Sequence, residues 1–399
     1  MAREYLLNAD FDLSLKPRWR PPVGEAARRR ITDLAWHALF LAEPGDSVLV
    51  PEPAPTDFIE YLDRSGIEAP ALTVEPDHRS GQTLSPFGWN ADAAERNRRY
   101  HCPFEHPPLD TITHVNGRRF SARLENELFG GDHTTAEIRT EAELHARLAE
   151  LPDSPTGWVL KTEHGNASFG NRRLRSRDLA DGDLKVIRRF FDEDDTVVLE
   201  PWRGRLRDLC ATFTVAETGG AVKISLHEVV NTADGALIGA LFEEDPAPLV
   251  EWRPSMNEAA TAVAGQLAEV GYVGPVCIDA FVWDDDGHFR LRRLVDLNAR
   301  REMSAGASTL WRRFGGRGAA YWRFFNRRKL RLPDSYEELG KALGDDAYDA
   351  ARGAGVLVTA PLWLGPGRRA PAKAAMLLLG RNREDVFALD RRIRALLEK

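Results

Sequence analysis

The chain has 399 residues, of which 43% are hydrophobic and 29% are charged, and its formal net charge is −7. This composition is ordinary for a globular protein, and the length allows two or three domains with a sizeable core. The acidic balance argues against nucleic acid as the main partner, and no apolar run approaches the ~18 residues that a membrane-spanning helix needs.

The cysteines and the N-terminus both bear on the compartment. Cys102, Cys210 and Cys277 are far apart and odd in number, which fits reduced thiols better than a disulfide framework. Acidic residues interrupt the first twelve positions before an apolar signal segment can form. The sequence therefore predicts a cytoplasmic protein without a membrane partner.

Short apolar runs alternate with an amphipathic helix in the first part of the chain. Residues 46–50 and 71–74 are predicted strands, and residues 56–65 between them are a predicted helix. The β-branched run at 111–115 is predicted to be a further strand. Alternation of this kind favours an α/β domain with a parallel sheet over residues 1–115.

A strand that ends in a lysine comes next. Residues 158–161 end at Lys161, and the small-residue loop 165–171 leads into an alternating strand at 172–175. The backbone N–H groups of such a hairpin tip can close over phosphates, with Lys161 as the point charge beneath it. A plain flexible hairpin is the alternative. The loop is not a Walker loop, because it has neither a following helix nor a Gly-Lys-Ser/Thr sequence.

A buried strand at 196–199 then runs into Glu200, Pro201 and Trp202. A strand that ends in an acid, with exposed backbone and an aromatic side chain beside it, can clamp the edge of an adenine base. Alternatively, Glu200 is a cap and Trp202 belongs to the core.

A pair of strands at 209–215 and 221–230 follows, joined by a Gly-Gly turn. The second strand carries His227 and Glu228, and Asn231 comes directly after it. These polar residues either line a substrate cleft or form a cross-strand pair on the sheet surface.

The most informative stretch is a predicted β-hairpin that spans residues 276–297 around an Asp-Gly turn. Asp296 and Asn298 project from one face because side chains alternate along a strand, and Asp279 joins them if the loop holds two or four residues. Two carboxylates and an amide oxygen suit Mg²⁺, and Arg300 beside them indicates phosphate chemistry. A solvated hairpin is the alternative. The pattern acid-x-Asn-x-Arg favours a site, since asparagine has a poor β-propensity.

Taken in order, the Lys161 strand with its loop, the strand ending at Glu200 and the acidic hairpin resemble the ATP-grasp superfamily over about residues 110–305. The resemblance implies an α/β (α+β) protein with an ATP-grasp fold, a preceding N-terminal α/β domain and a C-terminal α/β extension. The N-terminal domain is expected over residues 1–115, and the subdomain with the phosphate-covering loop over 116–195. The subdomain with the adenine hinge and the metal hairpin would follow over 196–305, and the C-terminal extension over 306–399.

The resemblance also implies roles for individual residues. Lys161 and Arg300 would be catalytic, and Asp279, Asp296 and Asn298 would hold one or two Mg²⁺, with Mn²⁺ as an alternative. Aspartate here replaces the commoner glutamate at both acidic metal positions, and an arginine stands where the family usually has an earlier phosphate-binding lysine. The implied ATP-binding residues are Arg118, Arg119, Lys161, Ser168, Glu200, Pro201, Trp202, Asp208 and Leu297. The implied substrate contacts are His227, Glu228, Asn231, Arg300 and Arg301.

The implied activity is that of a carboxylate–amine ligase. ATP would phosphorylate a carboxylate, and an amine would displace phosphate from the acyl phosphate to form an amide or peptide bond. An ATP-grasp enzyme with a non-amine acceptor and a non-catalytic ATP-binding scaffold are the alternatives. The expected partners are small-molecule carboxylate and amine substrates. The sequence leaves a homodimer open, and the C-terminal segment could extend the sheet, form a dimer surface or cover the cleft.

Overall fold

A computed structural model of the chain describes residues 2–20, 24–74, 82–102, 105–131, 135–152, 154–165, 170–193, 196–232, 235–244 and 247–398. Three β-sheets organise this part of the chain. Among the described residues, every helix is too short or too polar to cross a lipid bilayer.

The N-terminal sheet is parallel, as the alternating pattern predicts. Its strands, in the order β3-β2-β1-β4, are β1 (Arg3–Leu6), β2 (Ser47–Val50), β3 (Ala71–Val74) and β4 (Thr83–Pro86). The helical segments of this region are α1 (Phe11–Ser14), α2 (Glu25–Thr32), a 3-10 helix (Asp33–Leu41), α3 (Thr56–Arg64) and α4 (Ala91–Arg99). All four residues of β2 are buried, which is typical of a strand in a covered parallel sheet.

The predicted strand at 111–115 is wrong, because these residues belong to helix α5 (Leu109–Val115). Ile112 and Val115 are buried at helical spacing, and the Thr113 hydroxyl donates to the Leu109 carbonyl at 2.8 Å. Threonine, isoleucine and valine favour strands, but the whole scale of β-propensity spans only ~1 kcal/mol, so the burial of one helical face outweighs it.

A second, antiparallel sheet lies in the following segment, with its own hydrophobic core. Helix α6 (Arg118–Phe129) precedes it. The strands, in the order β5-β8-β6-β7, and their helices are β5 (Ala136–Ile138), α7 (Glu141–Glu150), β6 (Trp158–Thr162), β7 (Asn171–Leu174), α8 (Asp181–Glu193) and β8 (Val197–Pro201). Strand β6 is buried throughout and carries Lys161 near its end.

The third sheet has eight antiparallel strands in the order β13-β12-β9-β10-β11-β14-β16-β15. They are β9 (Arg205–Val215), β10 (Ala221–Asn231), β11 (Leu237–Glu243), β12 (Gly274–Asp285), β13 (His288–Asn298), β14 (Ala319–Asn326), β15 (Gly355–Val358) and β16 (Lys373–Gly380). The accompanying helices are α9 (Ala247–Val250), α10 (Arg253–Glu269), α11 (Ala305–Arg313), α12 (Tyr336–Leu343) and α13 (Arg383–Leu397), with 3-10 turns at Arg327–Lys329 and Gly344–Asp346. Strands β14 to β16 therefore make the C-terminal segment an extension of the sheet.

The hairpin formed by β12 and β13 has a two-residue loop. Asp285 pairs with His288, and the loop residues Asp286 and Gly287 have φ values of 52° and 86°. Two successive positive φ values are those of the type I′ turn, for which Asp-Gly is a preferred sequence. From the turn the pairing runs regularly to Phe281 opposite Arg292, and a shift in register between Phe281 and Asp279 then places Asp279 directly opposite Asp296.

Candidate active site

Two acids and an amide meet on one face of the β12–β13 hairpin. Asp279 lies opposite Asp296, and Cys277 lies opposite Asn298. The Asn298 side-chain amide donates to an Asp279 carboxylate oxygen at 3.1 Å. Burial raises the pKa of Asp279, so this carboxylate would be stabilised in its charged form by a cation. The three residues predicted as metal ligands are thus brought together.

Two cations from other parts of the fold reach the same carboxylate. The Lys161 Nζ lies 3.4 Å from Asp296 and 2.9 Å from Glu200, and Arg118 forms an ion pair with the same Asp296 oxygen. The Lys161 side chain is only 3% exposed. Burial lowers its pKa to about 8, although the neighbouring Glu200 acts in the opposite direction. Asp296 is therefore the point at which α6, β6 and β13 meet.

Arg118 and Arg119 are the two candidates for the earlier phosphate-binding position, and their side chains have different partners. Arg119 is half-exposed and pairs with Glu163 at 3.1 Å. Arg118 is the residue that enters the carboxylate cluster. Ser168, the loop residue expected near phosphate, lies outside the described residues.

Glu200 belongs to a buried network of charges that the sequence did not predict. Arg292 donates to Glu200 at 3.0 Å and to both oxygens of Glu125 at 2.7 and 2.5 Å. Burial alone would raise the pKa of Glu200, but Arg292 and Lys161 lower it to about 2. The Glu200 carboxylate is therefore paired with two buried cations, Lys161 and Arg292.

The rest of the predicted hinge is close by. The guanidinium groups of Arg173 and Arg205 lie 4.7 and 5.4 Å from the centre of the Trp202 ring. The Trp202 backbone N–H donates to the Gly157 carbonyl at 2.9 Å. This backbone donor thus already has a protein partner.

The remaining nucleotide-binding candidates lie on β9 and β13. Asp208 accepts from Arg205 at 2.9 Å and from Asn231 at 3.0 Å, so Asn231 lies beside the predicted ribose contact. Leu297 is buried, and its backbone N–H donates to the Ser121 hydroxyl at 3.1 Å. Their roles in nucleotide binding stay predictions.

Arg300 is fixed by the N-terminal part of the chain. Its guanidinium donates to both oxygens of Asp12 at 2.8 and 3.0 Å and to the Asn298 side-chain oxygen at 3.0 Å. It also lies 4.7 Å from the centre of the Phe87 ring. Sequence reasoning missed Asp12, although an acid that follows a strand of a parallel sheet is a useful signal for a ligand-binding edge.

The predicted substrate residues separate into two faces. His227 contacts Glu302 on the same face as the metal-ligand candidates, with 3.1 Å between the ring nitrogen and the carboxylate. The prediction that Glu228 lines the same cleft is wrong, because neighbouring residues of a strand point to opposite faces of the sheet. It pairs instead with Arg207 at 2.9 Å and Arg383 at 2.8 Å. The cross-strand alternative therefore holds for Glu228.

Arg301 turns away from Arg300 towards the N-terminal sheet. Its guanidinium donates to the Ser85 hydroxyl at 2.8 Å and lies 5.3 Å from the centre of the Tyr5 ring. The backbone N–H of Arg301 also donates to the Phe87 carbonyl at 2.9 Å. Arg301 thus joins the large sheet to the N-terminal sheet.

Comparison with known proteins finds similarity in structure but not in sequence. No protein-family model and no curated protein sequence matches the chain. An N5-carboxyaminoimidazole ribonucleotide synthetase from Thermus thermophilus matches with a TM-score of 0.55 and 15% identity, over 98% of each chain. A phosphoribosylamine–glycine ligase from Thermotoga maritima matches with a TM-score of 0.55 and 13% identity, over 100% of this chain and 97% of the other.

The biotin carboxylase domain of the Hydrogenobacter thermophilus 2-oxoglutarate carboxylase, in complex with MgADP, ADP and bicarbonate, is also similar. It has a TM-score of 0.54 and 12% identity, over 100% of this chain and 90% of the other. At such low identities, these matches establish a shared fold over essentially the whole chain.

Proposed function

We propose that this chain, which has the ATP-grasp fold, is an ATP-dependent carboxylate–amine ligase that forms an amide bond and releases ADP and phosphate. In the first step, a carboxylate oxygen of the substrate attacks the γ-phosphorus of ATP, and ADP leaves. In the second step, the amine nitrogen attacks the carbonyl carbon of the acyl phosphate, and inorganic phosphate leaves.

The observation that carries this proposal is the meeting of charged groups at Asp296. Lys161 and Arg118 reach that carboxylate from two other elements, while Asp279 and Asn298 share its face of the hairpin. Such an arrangement holds positive charge against a set of oxygen donors, as the transfer of a phosphoryl group requires.

The donors on the hairpin face fit a divalent magnesium ion. Asp279, Asp296 and the Asn298 side-chain oxygen are hard oxygen donors, and burial makes an uncompensated charge on Asp279 costly. A magnesium ion bound there would neutralise charge on the phosphates of ATP. We therefore propose these three residues as its ligands.

Lys161, Arg118 and Arg300 would contribute to catalysis through the positions of their charges. Lys161 and Arg118 are proposed to exchange Asp296 for phosphate oxygens when the nucleotide binds. Arg300 is held by Asp12, so its guanidinium is already oriented and loses little freedom when it meets an anionic substrate. These roles require no covalent protein nucleophile.

Bicarbonate as the acid that becomes activated is a second candidate. The observation in its favour is the bicarbonate anion in the structurally similar biotin carboxylase domain. In that case, the product would be a carboxylated amine or another carboxylated acceptor.

The experiment that tests the proposal is ADP release from purified protein with Mg·ATP, against a panel of amino acids singly and in pairs, and against bicarbonate. Product masses are measured in parallel. Release that needs two substrates, with a new mass equal to their sum minus water, would support amide ligation. Release that needs bicarbonate would favour the second candidate, whereas tight ATP binding without any release would favour a binding scaffold.

The low pKa of Lys161 predicts a pH dependence of nucleotide binding. With a pKa of about 8 in the empty protein, roughly nine-tenths of the Lys161 side chains are charged at pH 7 and roughly one-tenth at pH 9. Since the charged form attracts phosphate, the affinity for Mg·ATP is expected to fall by about tenfold between these pH values.

Calorimetric titration at several pH values measures this affinity. The control is Lys161→Arg, because arginine stays charged throughout the range and its binding should vary much less with pH. A wild-type affinity that is unchanged from about pH 7 to about pH 9 would contradict the proposed contact between Lys161 and the phosphates.

A further inference from the structure

A group of sulfur, nitrogen and oxygen donors lies beside the acidic hairpin on the same face of the large sheet. His227 on β10 pairs directly with Cys210 on β9, and Cys210 in turn pairs with Asp279 on β12. Cys277 is two residues before Asp279, so its side chain points to the same face. Glu302, from the segment after β13, reaches His227 across this face.

The donor atoms form two sets of three, and each set is close enough to share one ion. One donor atom each from Cys210, His227 and Glu302 lie within 4.8 Å of one another, and so do those from Cys210, Cys277 and Asp279. Three atoms this close can all lie within about 2.8 Å of a common centre. Zinc bonds are about 2.0–2.3 Å long, so side-chain shifts of about 0.5–0.8 Å would complete the coordination.

We infer that Cys210, His227 and Glu302 form a binding site for a thiolate-preferring divalent cation of the Zn²⁺ class, with Cys277 within 4.8 Å of the shared ligand Cys210. The chemistry of the donors separates this site from the magnesium site. Sulfur and imidazole ligands select zinc and similar metals, whereas Mg²⁺ prefers oxygen ligands alone.

Burial supports the assignment. Cys210 is completely buried, and Cys277 and His227 are nearly so. An ion at this place would be shielded from water by the sheet on one side and by Glu302 on the other. The neighbouring hydroxyl of Ser304 donates to Glu302 and thereby holds the carboxylate towards His227. An outer partner of this kind is a regular feature of metal sites.

The inference does not depend on the proposed ligase activity. The binding of a thiolate-preferring metal can be measured without ATP or substrate, and Asp296, where the proposed phosphate-binding groups meet, is not among the ligands. Loss of ligase activity and loss of zinc binding are therefore separate observations.

The test uses the full chain, stripped with a chelator and then titrated with Zn²⁺ in competition with a chromophoric chelator. Before it is stripped, purified wild-type protein is expected to hold one zinc per chain by elemental analysis. Cys210→Ser is expected to weaken binding by more than about 100-fold, because even loss of an outer-shell partner costs about 10–100-fold. The matched control is Cys102→Ser, which removes the one cysteine that lies outside the group and should leave binding unchanged.

Two further measurements keep the result clear if Cys210→Ser disturbs folding. Cobalt bound to wild-type protein should show a thiolate-to-metal charge-transfer band, which needs no variant. Asp296→Asn should still bind zinc with wild-type affinity. The inference would be overturned by no retained zinc, by equal binding in Cys210→Ser and Cys102→Ser, or by recovery of Cys210 and Cys277 as a disulfide in freshly purified protein.

Discussion

Asp296→Asn is expected to lower the rate of ATP turnover by about 10²–10³-fold while the chain stays folded. The substitution keeps the shape of the side chain and removes the charge to which Lys161 and Arg118 are both paired. It also removes one of two carboxylates proposed to hold magnesium. Lys161 keeps its second partner, Glu200, at 2.9 Å, so only part of the buried charge loses compensation. ADP release under saturating Mg·ATP measures the effect.

The control for this substitution is Asp285→Asn, at the turn of the same hairpin. Asp285 is exposed and lies 3.6 Å from Arg290 at the surface, so its charge should matter little. Asn298→Ala should reduce turnover in the same way as Asp296→Asn, and the melting temperature of each variant reports whether the fold is kept. Full turnover in either variant, with unchanged Mg·ATP binding, would remove the metal assignment.

The hairpin could be predicted from the sequence because its determinants are local. An Asp-Gly turn fixes the loop length, and strict alternation along each strand then fixes which residues share a face. The structure keeps the predicted faces, but Asp279 lies opposite Asp296 only because the register shifts between Asp279 and Phe281, which the sequence does not indicate. The same local rule applies to Glu228, whose adjacent position to His227 already indicates the opposite face of the sheet.

The groups that hold the site together could not be predicted, because their partners are distant in the chain. Arg300 is 288 residues from Asp12, and Arg292 is 167 residues from Glu125. An arginine in a strand gives no local sign of whether it faces solvent or a buried carboxylate. Only the packing of α6 and of the N-terminal region against the hairpin decides this.

Arg292→Met is expected to destabilise the protein by about 3–5 kcal/mol at pH 7, the usual cost of removing one partner from a buried ion pair. Arg292 bridges Glu125 and Glu200, and all three side chains are buried. Methionine roughly fills the volume of the arginine stem but leaves Glu125 without its ion-pair partner and Glu200 with Lys161 alone. Denaturant unfolding of the wild type and the variant measures the difference in the free energy of unfolding.

The pH dependence of this loss separates charge from packing. In the wild type, the pKa of Glu200 is lowered to about 2, so its stabilising contribution is present above the unfolded pKa and is lost as the pH falls towards 2. Burial already raises the pKa of Glu125 in the wild type, and loss of Arg292 is expected to raise it further. The pKa of Glu200, left with Lys161 alone, is also expected to rise, so protonation relieves the variant. The destabilisation should therefore shrink from about pH 7 to about pH 4, and Glu125→Gln should partly rescue Arg292→Met.

The control is Arg290→Met, at an exposed position on the same strand, which should change stability by less than about 1 kcal/mol. A loss in Arg292→Met that is independent of pH and unaffected by Glu125→Gln would assign the effect to packing alone.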